Sequence, residues 1–298
     1  VTAVAVSVRA ARVRSWARAR GLRGMVWLVV PAAVFMVAFF VYPLCYGVSL
    51  TFQGRGGALS AYRNFFSDGY QFRSIWITLE LSLPTALICV AAAIPLAYRM
   101  RGPFRGKRTL TAIIIVPMTL GAVFVADGMI DFLGPNGWFN RTLRFLHLVD
   151  RPIVLIHNFA GVLLSMVISV FPLAFLLVLG YFSGIDTSLE QAAAVSGAAP
   201  WQRFRMILCP LLLPGLTITF ALSFVMAFAV FPSATLVGDP AGSTRVVSIV
   251  AYTAYSRADY ASASAIAVVM GLVEFAVLGI VFLIRSRLYR GATTGGKG

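Results

Sequence analysis

Two aspartates four residues apart, Asp127 and Asp131, interrupt the apolar run 110–133. A four-residue step puts both side chains on one face of a helix, and two adjacent carboxylates suit a polyamine-like cation. Lying just before Gly134-Pro135, they also suit a helix end in contact with outside water. Ionisable side chains at membrane depth are costly and mark solute paths, which adds Glu80 and Glu274 in two other apolar runs. For Glu274, near the middle of its run, burial in a helix interface or pairing with a partner chain fits better than solute contact. Ser165, Ser169, Thr217, Thr219, Ser223 and Ser264 can hydrogen-bond a solute, although such residues usually bond to their own or neighbouring helices. Phe171, Phe175, Phe224, Phe228 and Phe231 recur at helical spacing, for which packing is the default. The candidate path residues are therefore Glu80, Asp127, Asp131, Phe171 and Phe228. No residue set points to a metal: His147 and His157 are the only histidines and fit surface hydrogen bonding, and the three cysteines form no framework of ligands or disulfides. Paired acids in an Asp-rich metal motif, a His-x-x-x-His set, a Ser/His pair at membrane depth and a Gly-x-x-x-x-Gly-Lys phosphate loop are all missing. The sequence is thus not read as an enzyme, and no cofactor is expected in this chain.

These residues need helices to hold them. Of 298 residues, 59% are hydrophobic and 12% charged, about half the charge of a soluble globule. Six apolar runs are long enough to cross a bilayer as helices: about 25–50, 76–98, 110–133, 159–182, 211–231 and 261–284. The two-residue alternation of a membrane barrel is missing. The first run is too long for a signal-peptide core and reads as a retained span. Pro31, Pro43, Pro84, Pro95, Pro117 and Pro172 fall inside spans and predict kinks, while Pro214 and Pro232 mark the ends of the fifth. The expected fold is an all-α bundle of six kinked transmembrane helices.

Most of the 25 Lys and Arg residues lie on one side of that arrangement: Arg9 to Arg23, Arg99 to Arg108, Arg203 and Arg205, and Arg285 to Lys297. By the positive-inside rule both termini are cytoplasmic in a multi-pass protein. The net charge of +15 is explained by topology and anionic lipid; no basic patch carries aromatic stacking platforms, so nucleic acid is not a partner. The domain reading is a basic arm, 1–24, then the six-span domain, 25–290, with a cytoplasmic loop at 184–210, and a tail, 291–298. On the outer side, "GPNGWFNRTLRFLHLVDRP" predicts a turn and a short amphipathic helix stopped by Pro152.

The cytoplasmic loop contains "SLEQAAAVSGAAPWQRF", residues 188–204. Thr187 and Glu190 have the spacing of a capping box, Gly197 suits the left-handed residue that ends a helix, and Pro200 suits the first turn of another. Trp201, Phe204 and Leu208 share one face of that second helix and Arg203 points the other way, with Pro210 ending it. Two short helices bent at Gly197 and carrying an apolar knob read as a docking element for a soluble partner.

This segment resembles the signature loop of binding-protein-dependent ABC importer permeases, written E-A-A, three residues, G, nine residues, I-x-L-P. Gln191-Ala192-Ala193, Gly197 and Ile207-Leu208-Cys209-Pro210 match in spacing; Gln191 replaces the motif glutamate and Cys209 its leucine. Glu190 stands next to the motif position but about 100° round the helix. The likeness runs from about residue 25 to 290, and "FPSATLVGDP" with the loop is similar to spermidine/putrescine-type permeases; the sugar-type often reads I-D-G-A where this chain has Val195-Ser196-Gly197-Ala198. The resemblance implies a type I importer permease whose coupling helix docks on an ATPase through Glu190, Gln191, Ala192, Ala193, Gly197, Ala198, Trp201, Phe204 and Arg205. It implies a second permease chain, two ATPase subunits binding ATP and Mg, an extracytoplasmic binding protein met by segments 51–75, 134–158 and 234–260, and a bacterial inner membrane. A polyamine-like cation leads as substrate, with a sugar or phosphorylated small solute as the alternative. A self-contained secondary carrier is the distant rival, disfavoured because no inverted repeat is present.

Overall fold

The computed structural model describes residues 30–289 apart from 55, 58, 103 and 104. The arm at 1–24, the tail at 291–298 and the first residues of the expected first span lie outside the described residues. The chain divides into two compact units, 1–61 and 62–298.

The first unit holds α1, Val30–Leu50. Its turn at Val37–Val41 is widened, with the Tyr42 N–H reaching back five residues to the Val37 carbonyl. Pro43 follows at once. A proline ring clashes with the carbonyl four residues earlier and offers it no N–H, and a widened turn moves that carbonyl aside.

The second unit holds α2 (Ser60–Ser67), whose numbering begins just before the boundary, then α3 (Gly69–Met100), α4 (Lys107–Leu133), α5 (Trp138–Phe145), α6 (Phe159–Ser183) and α7 (Ser188–Val195). It continues with α8 (Pro200–Phe228), α9 (Pro232–Leu236), α10 (Val247–Ser256) and α11 (Tyr260–Tyr289). No strand occurs among the described residues, and six helices are long and apolar enough to cross a membrane. With no water in the hydrocarbon layer, each span satisfies its backbone within itself.

Helix α6 is the centre, with α3, α4, α8 and α9 packed round it. Its buried residues Val162, Met166, Val170, Ala174, Val178 and Phe182 recur every four residues. α3 answers with a buried stripe of small side chains, Ser74, Thr78, Ser82, Thr85, Cys89, Ala93 and Ala97. Lipid supplies no hydrophobic drive between helices, so close packing of small residues holds such interfaces together.

Several boundaries differ from the sequence expectation. α3 starts at Gly69 instead of near 76, because Asp68 caps it: its carboxylate accepts from the Tyr70 N–H at 3.0 Å and from the Gln71 amide at 2.8 Å. Those bonds, Gln71's first, hold the Asp68 pKa below the ordinary carboxylate value. Pro210 and Pro214 do not bound the fifth span, which runs from Pro200 to Phe228. The widened turn Phe204–Leu208, closed by the Cys209 N–H on the Phe204 carbonyl, carries the helix past Pro210 by the device seen before Pro43. α5 stops at Phe145, not at Pro152. His147 adopts φ 54°, and its N–H and that of Leu148 bond to the Arg144 and Leu143 carbonyls, closing the helix as a glycine commonly does.

Candidate functional site

The elbow between α6 and α8 is built by its own backbone. α7 begins on Asp186, whose carboxylate accepts from the Ser188 N–H at 2.9 Å; this bond is the main reason its pKa lies below the ordinary value. The expected Thr187/Glu190 capping box is not formed. Thr187 has helical angles and makes no side-chain cap, and the Glu190 carboxylate is bonded instead to the Arg101 guanidinium, a charged donor that outcompetes a backbone amide. At the other end Gly197 has φ 83°. The Gly197 N–H bonds to the Ala194 carbonyl and the Ala198 N–H to the Ala193 carbonyl, both at 3.0 Å, which is the full Schellman closure. Ala199 and Pro200 then open α8, with the Gln202 side-chain carbonyl accepting from the Ala199 N–H at 2.9 Å.

Of the expected apolar knob of Trp201, Phe204 and Leu208 only Trp201 is exposed, and other apolar residues of the elbow are exposed with it. Val195 is 90% exposed, Met206 74% and Trp201 67%, and Leu189 is exposed as well. Phe204 is half-buried, stacked under Trp201 at 5.8 Å and edge-on to Tyr98 at 5.8 Å; Leu208, the third residue of the expected face, is fully buried. Gln191, Ala192 and Arg205 are exposed, while Ala193 and Ala198 are half-buried. Val195 carries no motif spacing, but its surroundings of small and polar residues, Ala192 to Ala198, were a readable signal, whereas Met206, set between Arg205 and Ile207 in α8, gave none.

The candidate path residues are not brought together. Asp127 and Asp131 do share an exposed face of α4, and Glu80 is exposed on α3; α3 and α4 each pack on α6. None of the three acids makes a hydrogen bond or ion pair with the described residues. Phe228 is fully buried with Phe224 in the cluster around Ala86, so it packs the core in this conformation. Phe171 is half-buried and stacked on Phe175 at 6.2 Å. Ser165 donates to Ser233 at 2.9 Å, tying α6 to α9, and Thr217 and Thr219 bond back to Leu213 and Gly215 in their own helix. Glu274 is half-buried on α11. No group of three or more His, Cys, Asp or Glu side chains converges among the described residues.

Two features escaped the sequence reading. α4 is broken at Gly121, whose φ 80° and ψ 155° lie in a region open essentially to glycine alone, so the acidic face follows a break in the span. Its sequence signal is a glycine four residues after Pro117. On the outer segment, Asn140 is fully buried; its amide donates to the Gly134 and Ile153 carbonyls at 2.9 Å each and accepts from the Ile153 N–H at 2.7 Å. This clamp folds the segment after α4 back on itself. His157 supports it further on, with its N–H on the Val237 carbonyl at 2.7 Å and Nδ1 3.1 Å from the Gly238 carbonyl.

Comparison with known proteins is specific. A family model described as binding-protein-dependent transport system inner membrane component matches residues 57–291. The maltose/maltodextrin transport system permease protein MalG of Yersinia pestis is 31% identical over 230 residues, covering 74% of this chain and 69% of that protein. MalG of Escherichia coli strain K12 is 32% identical over 230 residues, covering 74% and 71%. A chain from a bacterial ABC transporter that imports the acidic polysaccharide alginate superposes with a TM-score of 0.75 at 19% identity, covering 94% of this chain and all of that one. A chain of the MetNI methionine ABC transporter in an inward-facing conformation gives 0.54 at 19% identity, covering 72% and 95%.

Proposed function

This chain belongs to the inner-membrane permease components of binding-protein-dependent ABC importers, and from that premise we propose that it forms half of a translocation path for a carbohydrate. The other half is a second permease chain, identical or similar. Two cytoplasmic ATPase subunits bind ATP and Mg, and an extracytoplasmic binding protein delivers the solute to segments 51–75, 134–158 and 234–260. Both termini are cytoplasmic in this reading.

The observation that carries it is the elbow: a short helix closed by Gly197, with Val195, Trp201 and Met206 exposed beside it. Large apolar side chains exposed on an otherwise polar elbow ask for a protein partner, and a groove of the ATPase is the partner that this family supplies. Closing of the ATPase dimer on ATP favours the outward-facing bundle and its reopening the inward-facing one, a population shift between two states. The elbow carries that motion as a rigid body.

Substrate class rests on the relatives. Proteins about 31% identical to this chain are named for maltose and maltodextrin, which favours the sugar alternative over the polyamine that the sequence alone put first. Asp127 and Asp131 then serve as acceptors for sugar hydroxyls on the exposed face of α4, a carboxylate being an acceptor-only group. The same acids, unpaired among the described residues, keep a cation as the second reading. Purification of the tagged chain from its native membrane in mild detergent, with mass spectrometry of what accompanies it, tests the machinery. An ATPase and a binding protein are expected; a chain that comes out intact and alone overturns the proposal. Thermal shift of the accompanying binding protein with maltodextrins and with spermidine then separates the two substrate readings.

A further inference from the structure

We infer that α3 is a transmission rod between the ATPase face and the outer face, fastened to the coupling helix α7 by the Arg101–Glu190 ion pair. The inference rests on the proposed coupling role of the elbow.

The fastening is built as a load-carrying contact. Arg101 is 8% exposed and Glu190 16%, so the pair is screened far less than a surface bridge. Arg101 is the C-terminal cap of α3 and Glu190 lies in the first turn of α7; each charge therefore sits at the helix end whose dipole favours it. Arg101 Nη2 is buried without a hydrogen-bond partner among the described residues, where that guanidinium depends on a single carboxylate. Removing one partner of such a pair strands a buried charge, the costly case. Among the described residues this is the one salt bridge, and it joins helices 89 positions apart in sequence. It also assigns Glu190: its carboxylate faces inward to Arg101, so it positions α7 and does not reach for the ATPase.

Toward its far end α3 is tied to the segment between α9 and α10 and to the first residue of α10. Thr78 Oγ1 accepts from the Val247 N–H at 2.9 Å, in full burial. The Tyr70 hydroxyl donates to the Ala241 carbonyl, and the Arg245 guanidinium lies 4.4 Å over the Tyr70 ring. Helix α3 itself has 32 residues, about 48 Å at 1.5 Å each, and is packed along α6 and α8. A helix pinned at both ends to separate segments is a continuous packed connection of the kind along which coupling travels, and whether both ends bias its position is what the labelling experiment reads.

The experiment uses the complete reconstituted importer, with Cys45, Cys89 and Cys209 replaced by Ala and one reporter, Ala241→Cys, at the exposed outer end. The reporter's maleimide labelling rate is measured with and without ATP-vanadate trapping. In the otherwise unaltered chain, trapping is expected to change the rate by about fivefold, the scale of ordinary allosteric coupling. Arg101→Glu and Glu190→Arg should each bring that ratio to about one while the ATPase still co-elutes and traps vanadate, and the double exchange should restore most of it. If either reversal fails to assemble, Arg101→Gln and Glu190→Gln replace them with the same expectation. Single variants that keep the full response, or a double exchange no better than the singles, overturn the rod. Loss of the ATPase from the Glu190 variants alone also overturns it, since Glu190 then docks on the ATPase directly. Absence of the ATPase from the unaltered chain instead sinks the coupling role of the elbow.

Discussion

The elbow and the broken third span carry the two halves of the proposed function, and they are stabilised in opposite ways. In the elbow each turn is closed from within, with Asp186 opening α7, Gly197 closing it and Gln202 starting α8, and Arg101 of α3 adds one outside bond to Glu190. On α4, Gly121 breaks the helix and the acids beyond it point outward, unpaired among the described residues. A lever must keep its shape while it is pushed, whereas a path must exchange partners with solute and with a second chain. The difference in internal closure is what those two duties ask for.

The sharpest way to break the comparison is at Gly197. An L-residue at φ 83° costs roughly 1–2 kcal/mol, and a charge there adds a carboxylate to the docking face. Gly197→Asp should abolish substrate-stimulated ATPase activity in the reconstituted importer, a loss well beyond about tenfold, while membrane insertion stays normal. Undiminished stimulation would remove the elbow from the coupling path.

The break in α4 comes next. Gly121→Ala puts a Cβ into a backbone region essentially closed to it, although nothing lies within 4 Å of the added atom. The variant is expected to straighten the span toward helix, since alanine is the strongest helix former, and to cut uptake of radiolabelled maltodextrin by about tenfold with assembly intact. Wild-type uptake would show that the break has no part in transport. Replacing Asp127 and Asp131 together by Asn keeps acceptor oxygens but removes the charge. For a sugar the expected loss is about threefold, for a cation much more, so the ratio of the two uptake defects sharpens the substrate assignment.

How much of this was legible follows the same divide. The six spans and the elbow's Gly197 and Pro200 were readable, because hydropathy and turn chemistry are local. Glu190 was misread because the Thr187 spacing was local too, while Arg101, 89 residues away, won the carboxylate. Pro210 was misread as a stop because a proline's clash is written in the sequence and the widened turn that relieves it is not. Asp68-Gly69 was a readable cap that the apolar pattern overshadowed. Asn140 and the break at Gly121 depend on where the chain returns in space, which one sequence does not display. The substrate was the least legible of all: two acids on one face of α4 suggested a cation, and relatives named for maltose point elsewhere.

The smallest effect tests whether the elbow's closure is truly local. Asp186 and Asp68 both cap helices, one at the elbow and one at the opposite end of α3, and bonds to nearby backbone or side-chain donors hold both pKa values below the ordinary one. A carboxyl lowered by folding contributes stability that is fully present above its unfolded value, about 3.9. That contribution fades as the pH falls through the lowered folded value and is absent below it. Both groups are exposed, so the change is modest. Asp186→Asn retains an oxygen acceptor for the Ser188 N–H without titrating. Hydrogen exchange of the α7 amides should therefore quicken as the pH falls below about 4 in the parent chain, after correction for intrinsic rates, and stay level in the variant. Exchange in α3 should quicken alike in both, because Asp68 is untouched. Equal quickening of α7 in parent and variant would mean that the elbow is held from elsewhere, with Arg101–Glu190 as the contact left to hold it.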